Sequence, residues 1–116
     1  MLFVVTNRKL VKNGDLYSKL EEVVAAGADA IILREKDLDY NELLEISTKV
    51  KRITDRGKTL LILSQSIEVA KAINASGVHL TFEQFISKPL MYDGIIGVSV
   101  HSVEEAKSAE SLGASY

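Results

Sequence analysis

Polar side chains able to do chemistry gather just after short apolar runs. Thr6, Asn7, Arg8 and Lys9 follow the run Leu2 to Val5. Arg34, Glu35 and Lys36 follow Ala30 to Leu33, and Ser64, Gln65 and Ser66 follow Leu60 to Leu63. Strand alternation puts Arg34 and Lys36 on one side, opposite Leu33 and Glu35. Two cations at a strand mouth suit a phosphate or carboxylate, with arginine supplying a bidentate fork. The competing reading is a solvated charge run in which these cations pair with Glu35 and Asp37. Ser64, Gln65 and Ser66 are neutral donors and acceptors, fit either for a ligand or for a loop and helix cap.

The run Ile95 to Val100 carries the most information. Ile95, Gly97, Ser99 and His101 fall on one side, Ile96, Val98 and Val100 on the other. The second side is apolar throughout, as covering helices require. The first turns small and then polar towards its C-terminal end, as a barrel mouth requires. His101 would then point into the site, where an imidazole suits acid–base work, although a histidine beside a helix start also serves structure. His79, between Val78 and Leu80, reads as a hydrogen-bonded core residue. Glu83 and Asp93 share no spacing with other acids that would make a metal site, and read as surface residues.

These mouths need a scaffold, and the periodicity supplies one. Apolar runs begin near residues 2, 30, 60, 78 and 95. Between them, Leu16, Leu20, Val23 and Val24 share a helical face, as do Leu43, Ile46, Val50 and Ile53. Ile67, Ala70 and Ile73 form a shorter face, and so do Val103, Ala106 and Ala109. Asp15, Asp39, Ser66 and Ser102 are expected N-caps, with Glu42 and Glu105 completing capping boxes. Helices are expected to end near Gly27, Gly57, Gly77 and Gly113 through left-handed glycine. Alternating strands and helices imply a parallel sheet. About five βα units fit either an open doubly wound sheet or an incomplete (βα)8 barrel.

Composition narrows the classes. The 116 residues, 47% hydrophobic and 26% charged, suffice for one domain spanning 1–116. Fourteen basic against sixteen acidic residues give a net charge of −2, which argues against a nucleic-acid or anionic-membrane binder. Without cysteine there is no disulfide and no thiolate chemistry. No apolar run reaches the ~18–20 residues of a membrane span, so a cytoplasmic protein is expected.

Several of these runs resemble one family. Ile32-Leu33-Arg34-Glu35-Lys36-Asp37 is similar to the second-strand motif of the thiamine phosphate synthase and TenI family. Ala75-Ser76-Gly77-Val78-His79-Leu80 resembles its fourth strand, and Ile96 through Ala106, with Ser99-Val100-His101-Ser102 at its centre, resembles its fifth strand and following helix. Gly113-Ala114-Ser115-Tyr116 resembles the approach to its sixth. The resemblance implies a (βα)8 barrel in thiamine biosynthesis. The synthase joins an aminopyrimidine diphosphate to a thiazole phosphate with magnesium and releases pyrophosphate. TenI-type members instead isomerise a thiazole carboxylate phosphate or are regarded as regulators.

Two departures bear on that implication. A synthase's third strand ends in Asn-Asp where this chain has Ser64-Gln65, and its magnesium-binding acid after the fourth strand corresponds to Gln84. The resemblance therefore leans to a TenI-like thiazole tautomerase without a cofactor, with His101 as acid–base catalyst and Arg34, Lys36, Ser64 and Ser99 holding a thiazole phosphate or thiamine phosphate. The alternatives are a divergent, magnesium-dependent synthase and a non-catalytic binding relic. The sequence also ends where a sixth strand is announced. The expectation is thus the N-terminal part of such a barrel, its open edges favouring a homo-oligomer that completes the sheet.

Overall fold

The computed structural model describes residues 2–6, 16–35, 38–64, 66–87, 92, 94–99, 102–111 and 114. The expected Asp15 cap, Lys36, Asp37, Gln65, Asp93, Val100, His101 and Gly113 lie outside them. Among the described residues five strands alternate with five helices: β1 (Phe3–Val5), α1 (Leu16–Ala25), β2 (Ala30–Leu33), α2 (Tyr40–Thr54) and β3 (Leu60–Ser64). There follow α3 (Ile67–Ile73), β4 (Gly77–Thr81), α4 (Phe82–Ser87), β5 (Ile95–Ser99) and α5 (Val103–Ser111).

All the strands are parallel, and their order in the sheet is their order in the chain, β1-β2-β3-β4-β5. One face of the sheet meets every helix. Ile31, Leu33, Leu61, Leu63, Val78, Leu80, Ile96 and Val98 form one buried cluster with Leu20 of α1, Val50 and Ile53 of α2, Val69 of α3, Phe85 of α4 and Ala109 of α5. The other face carries a separate, smaller cluster, Ala30, Ile32 and Ile62, flanked by Phe3 and Leu60. A doubly wound sheet reverses its strand order and puts helices on both faces. Winding in one direction with all helices on one face is instead the arrangement of a barrel segment. That settles between the two architectures compatible with periodicity.

The apolar faces of α1, α2 and α3 pack as their spacing predicts. The face expected on α5 does not: Ala109 is buried, but Val103 is 72% exposed and Ala106 is exposed too. Asp39 caps α2 through a full capping box with Glu42, and Ser66 caps α3 by accepting the Val69 N–H. Ser102 accepts the Glu105 N–H at the start of α5.

Helix exits differ from expectation at two glycines. Gly27 does take a left-handed conformation, φ +87°. However, α2 ends on Asp55 in right-handed geometry, and α3 is closed by Asn74 at φ 57° rather than by Gly77. Asn tolerates that region because its short polar side chain bonds locally. Gly77 instead opens β4, where a Cβ would lie 2.6 Å from the Ile95 carbonyl oxygen. Its small size permits the close approach of β4 and β5.

Candidate functional site at the strand mouth

Register places the polar side chains. Ile32 pairs with Ile62, and Leu33 with Leu63, so Arg34, one step further, reaches the level of Ser64. Ser64 pairs with His79, His79 with Gly97, and Thr81 with Ser99. Because side chains alternate, Arg34, Ser64, His79 and Ser99 all lie on the face opposite the helices, at the C-terminal ends of β2 to β5. Three of the expected ligand-binding residues, Arg34, Ser64 and Ser99, are thereby brought to one mouth. Lys36 and the expected catalyst His101 lie outside the described residues.

Arg34 is held by its backbone, and no ion pair among the described residues holds its tip. Thr6, buried at the end of β1, accepts the Arg34 N–H at 3.0 Å and donates its hydroxyl to the Glu35 carboxylate at 2.8 Å. Glu35 is only 8% exposed and belongs to the opposite parity from Arg34. The two do not pair, so that part of the solvated charge-run reading does not hold: consecutive strand residues point apart. Among the described residues no carboxylate bridges Arg34, and its side chain is exposed. An exposed guanidinium without a carboxylate partner is a ready anion receptor.

His79 is the residue that sequence reasoning misplaced. It is hydrogen-bonded, as expected, but it sits on the mouth face rather than in the helix-side core. Its Nε2 lies 2.7 Å from the Ser99 Oγ, across the side-chain-free position of Gly97. Burial holds its imidazole below the ordinary value of 6.5, and the nearby Arg34 cation adds to that. The signal was present: the alternation applied to Ile95 through His101 sorts His79 away from Val78 and Leu80 in the same way.

A cavity of about 340 Å³ opens beside Arg34 and Ser64 and reaches the first turns of α2 and α3 at Tyr40, Leu43, Ser66 and Glu68. That is the lower end of the ~300–1,000 Å³ typical of small-molecule pockets. The cavity thus offers a cation and hydroxyls beside space for a ring-sized group, with Glu35, Asp39 and Glu68 also in its wall, while His79 and Ser99 lie further along the mouth.

The magnesium of a synthase finds a poor donor set here. Magnesium prefers hard, anionic oxygen in octahedral geometry. Ser64 is a neutral hydroxyl. The Gln84 amide oxygen accepts the Thr81 N–H at 3.0 Å, while the Thr81 hydroxyl accepts the Gln84 N–H at 3.2 Å. This is a capping box at the start of α4, and it commits Gln84 to the helix. Glu83 is exposed on that helix, and among the described residues no three His, Cys, Asp or Glu side chains form a metal-sized group. The described donors do not fit the ion.

Comparison with known proteins is consistent with this architecture. The sequence model of the family described as "Thiamine monophosphate synthase" (TMP-TENI) matches residues 2–116. The chain is 42% identical to a thiamine-phosphate synthase of Clostridium acetobutylicum over 99% of its own length and 56% of that protein's. It is 35% identical to the Clostridium tetani thiamine-phosphate synthase, covering 99% of the chain and 57% of the relative. Among solved structures, a thiamine phosphate pyrophosphorylase from Pyrococcus furiosus superposes with a TM-score of 0.83 at 31% identity, covering 99% of this chain and 57% of that one. The chain spans little more than half the length of the relatives it matches.

Proposed function

The chain belongs to the thiamine monophosphate synthase family, and from that premise we propose that its strand mouth binds a phosphorylated thiamine precursor for a synthase-type reaction. The observation that carries this is Arg34, exposed and without a carboxylate partner among the described residues, at the mouth beside Ser64 and a ring-sized cavity. The names of the relatives support the synthase assignment over other family chemistries. In this reading Arg34 takes phosphate oxygens through its planar fork, with Lys36 as the second cation. The hydroxyls of Ser64 and Ser99 hydrogen-bond the same group, and the cavity takes the adjoining ring.

A second reading is favoured by one specific observation, the neutral and already engaged Gln84. A site without carboxylates for magnesium suits proton transfer on a thiazole carboxylate phosphate better than departure of pyrophosphate. His101 would then take and return the proton.

Titration of the chain with thiazole phosphate and with the aminopyrimidine diphosphate tests the shared premise. Binding is expected, and Arg34→Ala is expected to weaken it at least about tenfold, as loss of a charge-assisted bond implies. Absence of binding by either compound would overturn both readings. Release of pyrophosphate from the two substrates with magnesium supports the synthase. Thiazole isomerisation without release, abolished by His101→Ala while binding persists, supports the tautomerase.

A further inference from the structure

We propose that His79 is a positioning residue of this site: through Nε2 it holds the Ser99 hydroxyl aimed across the mouth, as a donor to an anionic oxygen bound at Arg34. The inference deepens the proposed function and rests on anion binding at Arg34. It begins from geometry. His79 and Ser99 stand on adjacent strands, on the face away from the helices, with Nε2 and Oγ 2.7 Å apart. Gly97, paired with His79 on β5, has no side chain between them.

A serine has one proton to give. If Nε2 accepts that proton, Ser99 turns only lone pairs towards the ligand, and a phosphate oxygen would be repelled. If Nε2–H donates to Oγ, Ser99 keeps its own proton for the ligand, and a hydroxyl that is already accepting donates more strongly. An anion at Arg34 selects the second arrangement. Either an imidazolium or the Nε2–H neutral tautomer meets that need, and burial together with the Arg34 cation favours the neutral form. His79 does not touch the ligand in this arrangement. It acts through Ser99.

The two imidazoles of the chain, His79 and His101, make the tautomer directly readable. Long-range proton–nitrogen NMR of the 116-residue chain, with His79 assigned by its loss in His79→Gln, is expected to show Nε2–H at His79 with magnesium-free inorganic pyrophosphate bound. An Nδ1–H tautomer in that complex would overturn the proposal. Pyrophosphate titrations give a second readout. Ser99→Ala and His79→Ala are each expected to weaken binding about tenfold, and the double variant no further, because both remove one chain of bonds. His79→Gln, whose amide can also donate, is expected to recover most of the loss. Losses that multiply in the double variant would make His79 merely structural and overturn the proposal. Ser99 is exposed, so Ser99→Ala keeps the test usable if His79→Ala fails to fold. Binding that depends on Arg34 but ignores Ser99→Ala would overturn this inference alone. No binding to the unaltered chain would overturn it together with the anion site.

Discussion

The two faces of the sheet are built from alternate residues of the same strands, yet they differ in kind. On the helix side every strand from β2 to β5 contributes to one continuous buried cluster, which all five helices touch. On the mouth side the apolar cluster is small and lies towards the N-terminal ends of the strands, at Ala30, Ile32 and Ile62. It gives way to Arg34, Ser64, His79 and Ser99. The division is spatial: one parity carries most of the hydrophobic stabilisation, and the other can lose apolar character towards its C-terminal end because the fold does not rely on it there.

Neighbouring residues of β3 put that division to its largest test. Leu63→Ala, on the helix side, is expected to cost about 3–5 kcal/mol, within the range for fully buried large-to-small changes. Ile62→Ala, equally buried on the other face, is expected to cost about 2 kcal/mol, since fewer groups surround it. Urea denaturation reads both, and equal losses would break the comparison. Ser47, fully buried in α2, has no hydrogen-bond partner for its hydroxyl among the described residues. Ser47→Ala is expected to stabilise the fold by about 1 kcal/mol in the same measurement, removing an unpaired polar atom and improving helix propensity. Arg34→Ala, on the mouth side, is expected to shift stability by no more than about 0.5 kcal/mol while anion binding falls, a separation of stability from function.

The smallest effect is a pH dependence. The folded chain holds His79 below 6.5, so the unfolded chain binds that proton more readily. Its contribution to stability is complete above about 6.5 and is lost as pH falls from there towards the folded value. Thermal melts between pH 7.5 and 5.5 are expected to drop more steeply for the unaltered chain than for His79→Gln. Equal slopes would mean that the mouth does not bias the imidazole.

Much of this division is legible in the sequence, because period and polarity report on burial. The run Ala30 to Leu33 reads as a strand with the bounds of β2, and alternation in β5 places Ser99 at the mouth. What escaped was local. A six-residue helix such as α4 is too short to show a period, and only the Thr81 to Gln84 spacing marked its start. His79 looked like core because its neighbours Val78 and Leu80 are core. Asn74 was missed as the end of α3 because glycine is the commoner left-handed terminator and Gly77 stood close by. Whether a polar residue after a strand binds a ligand or holds the fold is not a matter of pattern at all. Thr6 and Arg34 follow equally apolar runs, yet Thr6 is buried between two strand ends and Arg34 is open to solvent.

The match between strand order and chain order also governs how the sheet assembles. Phe3 meets Ala30 and Ile62 meets Gly77, and each pairing closes across a single intervening helix. Among the five described strands, no pairing waits for a partner made much later, and no insertion between two existing strands is needed. Contacts of such modest sequence separation keep the entropy of loop closure low. During synthesis the sheet can therefore grow by one strand at a time from its N-terminal edge, each new helix docking on the same side as the last. The residues of the mouth arrive in that order as well, with Arg34 in place before Ser64, and His79 before the serine it is proposed to aim.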